Sequence, residues 1–159
     1  MKHLWAPWRM EYVQMKKGKG CILCEKPGQE QENDAMNYIL YRGGKNFVIM
    51  NSYPYSPGHL MVVPYRHVAS LEELTDEELH EHFDIVSRSI KILKQAFSSD
   101  GFNLGMNIGK VAGAGIEGHI HTHIVPRWLG DTNFMPVISD VKVVSEALAE
   151  TYQKLKGKF

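Results

Sequence analysis

At 159 residues with 43% apolar side chains, the chain is sized for a single domain with a sizeable core, which argues against a disordered chain and a disulfide-stapled scaffold. Eighteen basic and eighteen acidic residues cancel to zero formal charge, which argues against broad attraction to a nucleic acid polymer or to acidic lipid. No apolar run approaches the roughly 20 residues of a membrane span, the best being Leu60 to Val63, and Met1 to Val13 lacks the apolar core of a signal peptide. A cytoplasmic protein with no membrane partner is expected.

The chain opens with Trp5, Trp8 and Tyr12 among Lys2, Arg9, Lys16, Lys17 and Lys19. Rings so near a terminus need something to pack against. An N-terminal arm at about 1–20 is therefore expected, docked on its own domain, on a ligand or on a second subunit. Cys21-Ile22-Leu23-Cys24 follows and holds both cysteines of the chain. They are too close to staple distant parts of a fold, and the spacing suits a metal or a redox pair. Two reduced cysteines packed as small hydrophobes are the plainer alternative. The polar run from Glu25 to Asp34 reads as a solvated loop. Tyr38 to Tyr41 and Phe47 to Met50 read as a hairpin turning at Arg42-Gly43-Gly44-Lys45-Asn46. Asn51 closes the second strand, and Ser52 to Gly58 is a proline-bearing loop. His59 to Val63 is the next strand, terminated by Pro64-Tyr65-Arg66-His67.

Thr75-Asp76-Glu77-Glu78 has the form of a capping box and starts the longest helix. Leu79, Phe83, Val86, Ile90, Leu93 and Phe97 recur at spacings of four and three, an apolar stripe for a sheet or a partner subunit. His80 and His82 lie off that stripe, about 200° apart around the helix, and are expected at the surface. Ser98 to Gly101 ends the helix, and Phe102 to Ile108 is a further strand. Leu129 to Pro136 is a loop. A last helix is expected from about Val141 to Leu155, with Asp140 as its cap. The order of hairpin, strand, helix, two strands and helix predicts an α+β domain with a mainly antiparallel sheet, one long central helix and a C-terminal helix.

The most informative stretch is Gly113 to Trp128. Three of the eight histidines, His119, His121 and His123, recur here at a spacing of two. Ile120, Thr122, Ile124 and Val125 are β-branched, so a strand is predicted, with the three imidazoles on one face and Pro126 at its end. Such an array suits either a metal site or phosphate chemistry. In the second, a neutral imidazole attacks phosphorus while its other nitrogen donates to a group that fixes the tautomer. Charge on the phosphoryl oxygens must be held during transfer. His123, His59 and the amides of the glycine-rich turn, Gly115 among them, can do that. No P-loop motif and no paired carboxylate cluster is visible, which speaks against a kinase or a two-metal phosphatase.

His119-Ile120-His121-Thr122-His123-Ile124-Val125 resembles the His-X-His-X-His-X-X signature of the histidine triad (HIT) family, with Thr122 as one polar departure. Pro57-Gly58-His59-Leu60-Met61-Val62-Val63-Pro64 resembles the family's second marker. Leu4-Trp5-Ala6-Pro7-Trp8-Arg9 and the run Ala112 to Trp128 resemble the branch related to diadenosine tetraphosphate phosphorylases and hydrolases. The likeness covers about residues 3–135. It implies a HIT-like fold and nucleotidyl transfer through a covalent intermediate on His121. It further implies that His123 meets the phosphates and polarises the leaving group, and that His59 supports the nucleophile. Asn51 would contact ribose and Asn107 phosphate, with the purine in an apolar slot near Phe47 and Ile49.

The resemblance also gives the cysteines a role. Cys21 and Cys24, with His67 and His119, would make a closed four-ligand structural zinc site. A homodimer is implied as well. The expected activity is cleavage of a dinucleoside polyphosphate such as diadenosine tetraphosphate, with water or phosphate as final acceptor. Hydrolysis of nucleoside phosphoramidates uses the same intermediate. A zinc-stabilised module that binds nucleotides without turnover is the non-enzymatic alternative.

Overall fold

The structure is a computed structural model and describes residues 20–131 and 146–159. The expected aromatic arm, the Asp140 cap and most of the loop after Trp128 lie outside them.

Among the described residues five strands form one antiparallel sheet. They are β1 (Ile39–Arg42), β2 (Asn46–Met50), β3 (Leu60–Pro64), β4 (Gly101–Met106) and β5 (Thr122–Arg127), in the spatial order β1-β2-β3-β5-β4. The central strands are rich in valine, isoleucine and leucine because both their faces are covered; every residue of β2 is buried. Three consecutive strands join by short connections. The chain then crosses over through a long helix to the far edge and returns to place β5 between β3 and β4.

Among the described residues four α-helices accompany the sheet: α1 (Ile22–Glu25), α2 (Asp34–Asn37), α3 (Asp76–Phe97) and α4 (Leu148–Leu155). The capping box at the start of α3 forms as the sequence predicts. Thr75 Oγ1 accepts from the Glu78 amide, and the Glu78 carboxylate accepts from the Thr75 amide. Arg66 beside it holds the Glu78 carboxyl down to about 2. The buried face of α3 is rotated from the expected stripe. Glu78, His82, Ile85, Val86, Ser89, Ile92 and Leu93 face inward, whereas Phe83 is half exposed. The side of the helix that faces the sheet carries three polar groups, so counting apolar residues alone misplaced it.

Each face of the sheet carries its own core. Val48, Met50, Leu60, Val62 and Ile124 pack under α3 and α4, with Ile85, Leu93, Tyr152 and Leu155 closing over them. On the other face Phe47, Ile49 and Val63 pack with Leu23 of α1. One row of paired residues crosses that second face: Ile39, Ile49, Met61, His123 and Gly105. At the strand spacing of about 4.8 Å, Ile49 lies about 10 Å from His123 along this row.

Several boundaries differ from the sequence expectation. Pro126 stands inside β5, paired with Phe102. It is tolerated there because β3 pairs only as far as Ile124, so no neighbour on that side needs its missing amide. His59 falls just before β3, behind Gly58, whose φ of +76° suits a glycine. A Cβ on Gly58 would also press on Leu93 at 3.1 Å. The polar run after Cys24 is more than a solvated loop. It ends in α2, and Arg42 binds the Asp34 carboxylate and the carbonyls of Pro27 and Gln29. The last helix starts at Leu148, later than expected, with Ala147 in extended backbone.

Candidate active site

The three triad histidines do not share one regular strand. His123 lies in β5, while His119 and His121 precede it. The chain bends before Thr122, which sends His119 toward the cysteines and leaves His121 and His123 at a pocket. Their rings are 4.7 Å apart, edge to face.

Hydrogen bonds fix the tautomer of each ring, because a main-chain carbonyl can only accept and an amide can only donate. His121 Nδ1 donates to the His119 carbonyl at 2.9 Å, which leaves Nε2 with its lone pair. The Tyr55 amide donates to His59 Nδ1 at 3.1 Å, so His59 carries its proton on Nε2. That nitrogen lies 2.9 Å from His123 Nδ1 and donates to it. His123 in turn carries its proton on Nε2. One imidazole thus presents a nucleophilic nitrogen and its neighbour an acidic N–H. Burial pushes His121 below the usual histidine range, against the opposing pull of its carbonyl acceptor, so the ring stays neutral at pH 7.

The pocket lies over the second face of the sheet. Its floor is Ile49 and Met61, with His121 and His123 at one side. Asn51 and Asn107 reach it, as do Gly113, Gly115 and Ile116 of the glycine-rich turn. Ile22, Leu23 and Lys26 of the α1 segment complete the wall. His59 contacts His123 but does not line the pocket, and of the residues expected to bind substrate Phe47 alone is absent from this lining. Phe47 is fully buried and stacked on Tyr65, so the apolar slot is formed by Ile49 with the α1 residues instead. Ile22, Leu23, Lys26, Met61 and Tyr55 were missed. Met61 was legible, since it alternates with the core residues Leu60 and Val62; the α1 contribution has no sequence signal beyond the cysteines that flank it.

A second cluster adjoins the first. Cys21, Cys24, His67 and His119 bring one ligand atom each to within 4.8 Å of one another. His119 Nδ1 is 3.4 Å from both sulfurs, and His67 Nδ1 is 3.3 Å from Cys24 Sγ. A tetrahedron with zinc-like bond lengths has sulfur–nitrogen edges of about 3.6 Å. The donor set and its spacing therefore fit a four-coordinate soft cation. His119 is prepared for it, because Nε2 donates to the Pro64 carbonyl at 2.8 Å and leaves Nδ1 unprotonated. Gly118 gives His67 room; a Cβ there would stand 3.0 Å from its Nε2.

His82 is the clearest departure from expectation. It is wholly buried, not on the surface, while His80 is exposed and beside Asp84. Asn46 donates through Nδ2 to the Glu78 carbonyl and the Glu81 carboxylate, so its oxygen must accept from His82 Nδ1 at 2.8 Å. His82 Nε2 then accepts the Thr122 hydroxyl proton at 2.6 Å. Burial lowers His82 to about 4. The signal was Thr122 itself, a polar residue at an inward-facing position that needed a buried partner.

Comparisons with known proteins agree with this geometry. The HIT domain family model matches residues 32–128. An AP-4-A phosphorylase of Mycobacterium tuberculosis is 38% identical over 161 residues, covering 98% of this chain and 83% of that protein. The crystal structure of a hypothetical histidine triad nucleotide-binding protein from Sulfolobus tokodaii superposes with a TM-score of 0.67. It is 31% identical, with 87% of this chain and 88% of that one covered. A Zn-bound histidine triad family protein from Mycobacterium smegmatis has the same fold, with a TM-score of 0.68 at 23% identity over 87% of this chain and 92% of that one. The triad that the sequence resembled, the sheet that carries it and these full-length likenesses place the chain in the HIT domain family.

Proposed function

We propose that this protein cleaves dinucleoside polyphosphates such as diadenosine tetraphosphate by moving a nucleotidyl group onto His121. The observation that carries the reading is the paired tautomer assignment: a neutral His121 with its Nε2 lone pair at the pocket, beside a His123 protonated on Nε2. His121 Nε2 attacks the α-phosphorus, the bond to the bridging oxygen breaks, and ATP leaves. His123 donates its Nε2–H to that oxygen as charge develops on it. His59, held by the Tyr55 amide, keeps His123 in the donating tautomer and is a positioning residue. Amides of the turn at Gly115 and the Asn107 side chain receive the phosphates. Asn51, whose Oδ1 accepts from the Tyr53 amide, meets the ribose, and Ile49 the base.

In the second step an acceptor attacks the nucleotidyl-histidine on phosphorus and restores the neutral ring. Water gives AMP; inorganic phosphate gives ADP. The full-length likeness to an AP-4-A phosphorylase supports phosphate. Cys21, Cys24, His67 and His119 would hold zinc, which supplies structural cross-linking and has no open position for substrate. Thiolates kept for a metal need a reducing compartment, which supports a cytoplasmic location. A homodimer belongs to the same reading: β4 is an edge strand with Leu104 half exposed and can pair with a second copy. One domain spanning 1–159 with its N-terminal arm completes it.

The test is product analysis from diadenosine tetraphosphate with and without inorganic phosphate. ADP with ATP only when phosphate is present is the expected result. AMP with ATP in both conditions makes the protein a hydrolase. No products from the intact protein would remove this substrate class and direct the search to nucleoside phosphoramidates.

A further inference from the structure

The four-ligand cluster and the pocket share a piece of chain. Cys21 and Cys24 bracket Ile22 and Leu23, and both of these line the pocket, followed by Lys26. α1 is only four residues long and has no side-chain cap. The backbone bonds around it, from Cys21 to Gly28, are local ones. Among the described residues, its attachments to the rest of the domain are the two sulfurs, the buried Leu23 side chain in the cluster of Ile39, Phe47, Ile49 and Val63, Lys26 Nζ on the Asn37 carbonyl at 3.2 Å and, just past the helix, the Arg42 guanidinium on the Pro27 carbonyl. Short isolated helices do not hold themselves together. The opposite wall depends on the same cluster. Ile116 packs against the Leu23 core, and three residues on His119 both offers a ligand nitrogen and accepts from His121 through its carbonyl.

We propose that the metal ion at Cys21, Cys24, His67 and His119 sets the affinity of the pocket for a nucleotide, by fixing α1 as the wall against which the base lies. This rests on the pocket being the nucleotide site. Leu23 of α1 packs against Ile49, which lies about 10 Å from His123 along the sheet row, so α1 sits toward the base end and the coupling acts on binding first. Coupling of two sites is reciprocal: whatever factor the metal adds to nucleotide affinity, the nucleotide adds to metal affinity.

The experiment is titration calorimetry with AMP on the full chain, loaded with one zinc and after chelation, with circular dichroism to confirm that the chelated protein remains folded. Chelation is expected to weaken AMP binding at least tenfold, and added zinc to restore it. Ile22→Ala should weaken AMP binding with zinc retained. A second measurement does not need the apoprotein. In the cobalt-substituted protein, AMP should perturb the cobalt–thiolate absorption bands, and ribose 5-phosphate, which lacks a base, should leave them unchanged. Equal AMP affinity with and without zinc, a cobalt spectrum unmoved at saturating AMP, or a protein that takes up no metal would each overturn the proposal. Failure of AMP to bind the zinc-loaded protein would instead overturn the assignment of the pocket.

Discussion

His119 and His121 are two residues apart, both buried and both neutral, yet they offer opposite nitrogens. His119 gives its Nε2 proton to the Pro64 carbonyl and presents Nδ1 to two sulfurs. His121 gives its Nδ1 proton to the His119 carbonyl and presents Nε2 to the pocket. The side chains are the same, and burial depresses both. What separates the proposed metal ligand from the proposed nucleophile is which nitrogen a backbone carbonyl consumes. One peptide serves both sites, since the residue proposed to ligate through its ring orients the proposed nucleophile through its oxygen.

The comparison is broken most directly at His121. His121→Asn keeps a donor for the His119 carbonyl but removes the nucleophile. Nucleotide release from diadenosine tetraphosphate should fall by about 10³-fold or more, with AMP affinity changed little, as steady-state kinetics and calorimetry would record. A loss of only a few-fold would mean that another group attacks phosphorus.

Cys24→Ser tests the other side of the pair. Loss of one soft ligand from a closed site should release the metal and cost about 4 kcal/mol of stability. That corresponds to a melting point about 10 °C lower, seen together with metal content. An unchanged melting point would show that the four side chains are not a structural metal site.

A third histidine sharpens the contrast, because His82 meets no main-chain carbonyl and has both nitrogens taken by side chains. Its folded-state value of about 4 lies below the usual 6.5. The unfolded chain therefore binds the extra proton between these values. The stability that His82 contributes is complete above pH 6.5 and lost as pH falls toward 4, about 3 kcal/mol in all. His119 and His121 add to the same trend. The difference between wild type and His82→Gln in denaturant titrations across this window isolates the His82 part. A difference that does not vary with pH would contradict its burial as a neutral ring.

The smallest effect concerns Thr122. Thr122→Val leaves His82 Nε2 without its donor and should cost about 1–3 kcal/mol, while Thr122→Ser should recover most of it. Chemical denaturation of the two variants decides this, and equal stabilities would remove the hydrogen bond from the account.

How much of this was legible beforehand depended on whether the signal was local. The cap of α3, the hairpin and the strand before Pro64 follow from turn chemistry and short-range periodicity. The set Cys21, Cys24, His67 and His119 came from the family pattern, and the fold brings these residues to one place. The face of α3 was misread because its inward side mixes Glu78, His82 and Ser89 with aliphatic residues. An apolar count does not register polar groups that are satisfied only by distant partners such as Asn46 and Thr122. Phe47 was placed in the pocket because it shares a sheet face with Ile49, but it stands two residues further along β2, where Tyr65 stacks over it. The α1 wall could not be read at all, since nothing local tells Ile22 that it will face a pocket across the chain.

The central claim is that His121 Nε2 becomes covalently bound to phosphorus. The most direct test is rapid quenching of the protein with diadenosine tetraphosphate under conditions that slow the second step, followed by peptide mapping at neutral to alkaline pH. The account predicts one adenylyl group per chain, attached to Nε2 of His121 and absent from His121→Asn. An adenylyl group on His119, His123 or His59, or turnover with direct displacement and no adduct at any histidine, would contradict it.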